Sequence, residues 1–181
     1  MTISPPLMEE EGACGSHVTL TGDVPPERKR TGRATVKIRL RIGPSRIHGK
    51  GVFAAQAITK GTRILPYLGE KIPHQEATQR IAQGNTYIFF FDAHYDIDGQ
   101  TLKNRARYLN HSCDPNCTSD IMEDQIWILA LRDIQAGEEL NYDYGYELDG
   151  YEQRRCRCGA KNCCGYILAQ ELRGLLQQKA P

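Results

Sequence analysis

Three short strings hold most of the residues in this chain that could do chemistry. The first, Asn110-His111-Ser112-Cys113-Asp114-Pro115-Asn116, offers an amide, an imidazole and a thiol in close succession. The second, Gly137-Glu138-Glu139-Leu140-Asn141-Tyr142-Asp143-Tyr144, places two tyrosines two residues apart. On a strand that spacing sends both rings to one side, which suits one wall of a pocket; a pair of core tyrosines has the same spacing. Glu138 and Glu139, following a glycine, read as a solvated turn. The third string gathers Cys156, Cys158, Cys163 and Cys164 of the seven cysteines in the chain. An odd count with such crowding, in a reducing compartment, points to metal binding before disulfides. Its alternative is a set of reduced, unligated thiols. Upstream, Gly49 and Gly51 flank Lys50, and two glycines there permit close backbone approach to a ligand or simply make a tight turn.

The elements that would position these residues are mostly short strands. Val36, Ile38, Leu40 and Ile42 alternate with Lys37, Arg39 and Arg41, the period of a half-buried strand. Further strand candidates are 52–54, 63–68, 87–91, 95–97 and 126–131, separated by turn residues. Residues 75–82 favour a short helix closed by Gly84. Leu168, Leu172, Leu175 and Leu176 predict a second, amphipathic helix over 168–181. Many strands and few helices give a mainly β fold, and no Gly-x-Gly-x-x-Gly follows a strand to suggest a Rossmann-type methyltransferase. Residues 1–35 carry Glu9-Glu10-Glu11, Pro25-Pro26 and Arg28-Lys29-Arg30 without a hydrophobic period, and read as a disordered N-terminal tail.

Composition narrows the function classes. The chain has 181 residues, enough for one ordinary domain with tails, and a net charge of +1. A near-neutral balance gives no basic field for nucleic acid. No apolar run approaches the roughly 20 residues of a membrane span. The N-terminus lacks a basic start and an apolar stretch, so the reading is an intracellular protein: cytoplasmic in a prokaryote, nuclear or chromatin-bound in a eukaryote.

Together and in this order, the strings resemble the signature motifs of the SET-domain protein methyltransferases. Asn104-Arg105-Ala106-Arg107-Tyr108-Leu109-Asn110-His111-Ser112-Cys113 is similar to the family's Asn-x-x-Arg-Phe/Tyr-x-Asn-His-Ser-Cys, and Glu139-Leu140-Asn141-Tyr142-Asp143-Tyr144 to its Glu-Leu-x-Phe/Tyr-Asp-Tyr. The Gly49-Lys50-Gly51 turn followed by Tyr67-Leu68-Gly69-Glu70 fits the opening of such a domain. The resemblance implies small curved β-sheets around a knot-like substructure, with the SET domain over 36–146 and a zinc-bound post-SET segment over 147–167. It implies S-adenosylmethionine as cofactor, held by backbone around Lys50 and Gly51 and by Arg107, Asn110, His111 and Tyr144. It makes Tyr144 the catalytic tyrosine and Tyr142 the position that limits the methyl count, a tyrosine there accompanying mono- or dimethylation. Tyr87 is similar to an earlier channel tyrosine, though a half-buried strand aromatic fits it equally. Cys156, Cys158 and Cys163, with Cys113 as fourth ligand, would hold one structural zinc. The substrate implied is a protein lysine, such as one on a histone or histone-like tail. Without a cysteine-rich segment before residue 38, the compact pattern resembles small stand-alone SET proteins. The competing reading is a non-catalytic, zinc-containing interaction module on the same fold.

Overall fold

The computed structural model describes residues 38–177. The N-terminal tail predicted over 1–35, Val36 of the first strand, and residues 178–181 of the C-terminal helix lie outside the described residues.

Ten short strands form three small sheets among the described residues. The first sheet has β1 (Leu40–Pro44), β2 (Lys50–Ala54), β10 (Glu139–Tyr142) and β7 (Asn110–His111) side by side. β2 pairs antiparallel with β1 and β10, whereas β7 and β10 pair in parallel, Asn141 opposite Asn110 and Tyr142 opposite His111. The second sheet orders β3 (Arg63–Pro66), β9 (Gln125–Ala130) and β8 (Cys117–Met122). The third orders β4 (Glu70–Pro73), β6 (Tyr95–Asp98) and β5 (Ile88–Phe90). The mainly β class expected from the sequence is what the structure has.

Patterning explains the packing. In β9 every second residue, Ile126, Ile128 and Ala130, is buried, so one face of the second sheet joins the core. Val52, Ile58, Ile134 and Leu140 reach the same core from the first sheet and its flanking loops. Fully burying an aliphatic side chain of that size contributes about 1.5–3 kcal/mol.

Helix α1 (His74–Ala82) covers one face of the third sheet and starts one residue before the predicted segment. It closes as expected: the Gly84 N–H reaches Ile81 O at 2.9 Å and the Asn85 N–H reaches Arg80 O at 2.9 Å. Arg80 ties α1 to the sheet by pairing with Glu76, Glu70 and the buried carboxylate of Asp98. Several predicted elements are shorter than their sequence pattern: the first strand, sought from Val36, begins at Leu40, and the one sought over 87–91 is β5 alone. The strand sought over 63–68 ends at Pro66, and β4 starts a new sheet at Glu70. The C-terminal helix does not begin at Leu168: a 3₁₀ turn spans Gln170–Leu172 and α2 covers Arg173–Gln177. Leu168 precedes both and is fully buried, so its apolar character reflects docking onto the domain rather than a helix face.

Candidate active site and cysteine cluster

One cavity of about 830 Å³ brings together residues of the first two strings and of the glycine-flanked Lys50 turn. Its lining includes Lys50, Tyr87, Arg107, Asn110, Tyr142 and Tyr144. Gly51 and His111 lie beside it but are not on its surface.

The turn between β1 and β2 contributes His48, Gly49 and Lys50 to the lining. Asn110 Nδ2 faces Ser45 Oγ at 3.0 Å, His48 O at 3.1 Å, Lys50 O at 3.0 Å and Glu139 Oε1 at 2.8 Å. Its two hydrogens can serve two of these acceptors at a time, so the amide holds the turn from beneath. Ser45 Oγ donates to the Glu139 carboxylate, 2.7 Å from Oε1, and accepts the Ile47 N–H at 2.9 Å. Glu139 is therefore no solvated turn residue. Its partner Glu138 is also engaged, accepting from Arg132 Nη2 at 2.8 Å and from the Gln135 N–H at 2.6 Å. Gly51 packs closely here: a Cβ would strike Glu139 Oε1, come within 2.8 Å of Cδ and push the carboxylate aside. Nearby, the Arg107 guanidinium lies 4.1 Å over the Tyr87 ring and 5.5 Å from that of Tyr108. Its Nη1 donates to Gln100 O, while its buried Nε has no partner within the described residues.

Aromatic rings in contact with one another form another part of the lining. Tyr142 and Tyr144 centroids are 4.9 Å apart, Tyr144 and Tyr146 are 5.6 Å apart, and Phe89 lies parallel to Tyr142 at 5.9 Å. Strand alternation does not place Tyr144, because β10 ends at Tyr142. Instead the Tyr144 N–H donates to His111 Nδ1 at 3.2 Å and its hydroxyl donates to Leu109 O at 2.8 Å. Desolvation pushes the hydroxyls of Tyr67, Tyr142 and Tyr144 well above the ordinary phenol value, and neighbouring tyrosines push the same way. All three stay protonated at neutral pH.

His111 works inside the chain. Burial lowers its pKa to about 4, and Arg173 adds to this against the opposing pull of Asp143, so the imidazole is neutral at pH 7. Its Nδ1 accepts from Tyr144, which puts the proton on Nε2, 3.5 Å from Cys113 Sγ. The 3.6 Å approach of Nδ1 to Asp143 is accordingly not an ion pair.

Cys113, Cys156, Cys158 and Cys163 have their Sγ atoms all within 4.8 Å of one another. Four thiolates converging so closely suit a tetrahedral zinc, at which Zn–S bonds are about 2.3 Å. Burial opposes ionisation of Cys158, but the Cys113 and Ala160 N–H groups and the adjoining thiols outweigh it and lower its pKa to about 7. Cys164 turns away toward Tyr166 O at 3.3 Å. Cys117 is fully buried, and burial pushes its thiol up to about 12. Cys14 lies outside the described residues.

The family profile described as SET domain matches residues 49–145, more than half of the chain and nearly the whole of this site. This chain belongs to the SET-domain family. Among curated relatives, the Histone-lysine N-methyltransferase set-2 of Caenorhabditis elegans is 36% identical over 141 residues, covering 72% of this chain and 9% of that protein. The "Histone-lysine N-methyltransferase, H3 lysine-4 specific" of Schizosaccharomyces pombe is 39% identical over 141 residues, covering 72% of this chain and 15% of its own. That of Saccharomyces cerevisiae is 39% identical over 135 residues, covering 68% of this chain and 12% of its own. The chain thus spans a small fraction of the length of the relatives it matches.

The SET domain also uses residues that the motif reading did not single out. Tyr146 continues the two-residue spacing of Tyr142 and Tyr144, and that continuation was visible in the sequence. Tyr67 sits within a quoted motif, and its hydroxyl donates to Tyr87 O at 2.9 Å. Phe89 had no signal beyond strand propensity, because its contact with Tyr142 crosses between two sheets.

Proposed function

We propose that the chain is an S-adenosylmethionine-dependent protein-lysine N-methyltransferase that adds one or two methyl groups to a lysine side chain. The observation that carries this reading is one cavity whose lining combines the 48–50 turn and Asn110 with Tyr67, Tyr87, Tyr142, Tyr144 and Tyr146. Bound S-adenosylmethionine supplies an activated methyl on a sulfonium. The rest is positioning of a neutral amine, and the residues are suited to it. Asn110 and Glu139 hold the backbone of 48–51 in place for the cofactor's polar groups. Arg107, also in the cavity lining, carries an unpaired buried Nε. With its proton given to Leu109 O, the Tyr144 hydroxyl has lone pairs free to accept from the incoming amine. Tyr142, Tyr87 and Phe89 keep the amine's approach dry, which disfavours the ammonium form of a lysine whose ordinary pKa is about 10.4.

We assign the SET domain to 36–146 and the post-SET segment to 147–167, with zinc held by Cys113, Cys156, Cys158 and Cys163 in a structural role. The names of the relatives make a histone tail the first substrate to try; in a eukaryotic host that substrate implies action at chromatin. Methyl transfer from radiolabelled cofactor to core histones and to a whole-cell lysate, with the modified lysine located by mass spectrometry, tests the proposal. Folded Tyr144→Phe should lose about 100-fold or more in turnover. Full activity in that variant removes Tyr144 from the chemistry, and no transfer by the parent chain to any protein favours an interaction module.

A further inference from the structure

Arg173 opens α2, beyond the residues matched to the SET domain, and its side chain is only 7% exposed. A guanidinium keeps its charge when buried, so such a site has to satisfy it with acceptors. Here all three nitrogens have one. Nε donates to Leu168 O at 3.0 Å, Nη1 to Cys113 O at 2.6 Å, and Nη2 to the Asp143 carboxylate. Those acceptors belong to the docked C-terminal segment, to the first signature string and to the second. Asp143 lies between Tyr142 and Tyr144, and its other oxygen takes the Gly145 N–H at 3.0 Å. The Cys113 carbonyl is gripped a second time by Asn162 Nδ2 at 3.0 Å. The C-terminal segment is itself fastened, with Leu168 fully buried and the Ala169 N–H bonded to Tyr146 O at 2.9 Å.

Among the described residues Arg173 is the one arginine or lysine paired with the Asp143 carboxylate. Without Arg173, the stretch from Asp143 to Gly145, beyond the end of β10, would lose its charged tie to the Cys113 carbonyl and keep the Tyr144 bonds to His111 and Leu109. We propose that Arg173 is a positioning residue: it holds Asp143, and through it the Tyr142–Tyr144 rings, so that the C-terminal segment braces the cavity wall without lining it. The kinetic part of this inference rests on the methyltransferase reading; the structural part does not.

The test is amide hydrogen exchange on zinc-loaded Arg173→Lys and Arg173→Ala. Lysine keeps charge and stem but cannot make the three-way fork. The Tyr144 and Gly145 amides should exchange about ten-fold faster or more, while amides of the β8–β9 hairpin keep their parent rates. Unchanged exchange at Tyr144 and Gly145, or an even acceleration that includes the hairpin, overturns the positioning role. In turnover, kcat should fall by about ten-fold with the KM for S-adenosylmethionine within about two-fold, because Arg173 does not line the cavity. An unaltered kcat in a variant with faster Tyr144 exchange also overturns it. A parent chain that methylates nothing counts against the methyltransferase reading, and the exchange measurement still decides the role of Arg173.

Discussion

At the scale of single residues, Tyr142 and Tyr144 differ in what their hydroxyls do. Tyr144 spends its proton on Leu109 O, whereas Tyr142 stacks on Phe89 and fills space beside it. Removing the Tyr142 oxygen by Tyr142→Phe should make room for another methyl group, raising the fraction of higher methylated product in mass spectra. An unchanged product distribution would assign the limit to another side chain, with Phe89 the first to examine. Protonation gives a second residue-level prediction. Because burial raises the phenol pKa of Tyr67, Tyr142 and Tyr144, none of them loses its proton as pH climbs toward about 10. The neutral fraction of a lysine amine rises about ten-fold per pH unit over the same range. kcat/KM should therefore rise from pH 7 to about 10 with no falling limb from tyrosine ionisation. A decline beginning near pH 8–9 (about one to two units below the ordinary phenol value) in protein that remains folded would contradict this.

At the scale of elements, the first sheet is the device that assembles the site. β10 pairs with β2 on one side, Glu139 opposite Phe53 and Leu140 opposite Val52, and with β7 on the other. Those two ladders bring the Gly49–Gly51 turn, Asn110 and the tyrosine string within side-chain reach although they are distant in sequence. One close fit is Gly51 against Glu139. Gly51→Ala should displace the Glu139 carboxylate and with it Ser45 and the turn. Overpacking of this kind costs about 1–3 kcal/mol, so calorimetry should show binding of S-adenosylhomocysteine weakened by about ten-fold or more. Parent-like affinity would mean that the turn tolerates the shift and that its exact seat is unimportant for the cofactor.

At the scale of the whole molecule, the cysteine cluster and Arg173 draw the C-terminal segment and both signature strings to one point. Only Cys113 of the four thiols comes from the body of the SET domain. Metal there would cross-link chain about 40–50 residues apart, and such sites couple metal binding to folding. Purified protein should carry about one zinc per chain. Chelation, or Cys113→Ser, should remove the metal, lower the melting temperature and loosen the segment carrying Tyr146 and Leu168. Zinc retained at parent level in Cys113→Ser would refute the bridging assignment. No helix of the described residues is long and apolar enough to cross a membrane.

Much of this was legible in the sequence because the relevant information is local. Period-two alternation in 125–130, the cap at Gly84 and the Cys-x-Cys-x4-Cys spacing each depend on neighbours within one element, so residue order alone determined the β-rich class, the helix end and a metal-suited cluster. The signature strings likewise marked the family. What they could not give was the partner of each side chain. Glu138 and Glu139 are chemically the same in the chain, yet β10 pairing makes one the support of the turn between β1 and β2 and leaves the other to cap a loop. His111 lies beside the cavity with both nitrogens engaged internally, Phe89 reaches Tyr142 from another sheet, and Leu168 is held by docking where its spacing suggested a helix. These outcomes follow from burial and from hydrogen bonds between segments far apart in sequence, and burial exists only once the tertiary structure has formed.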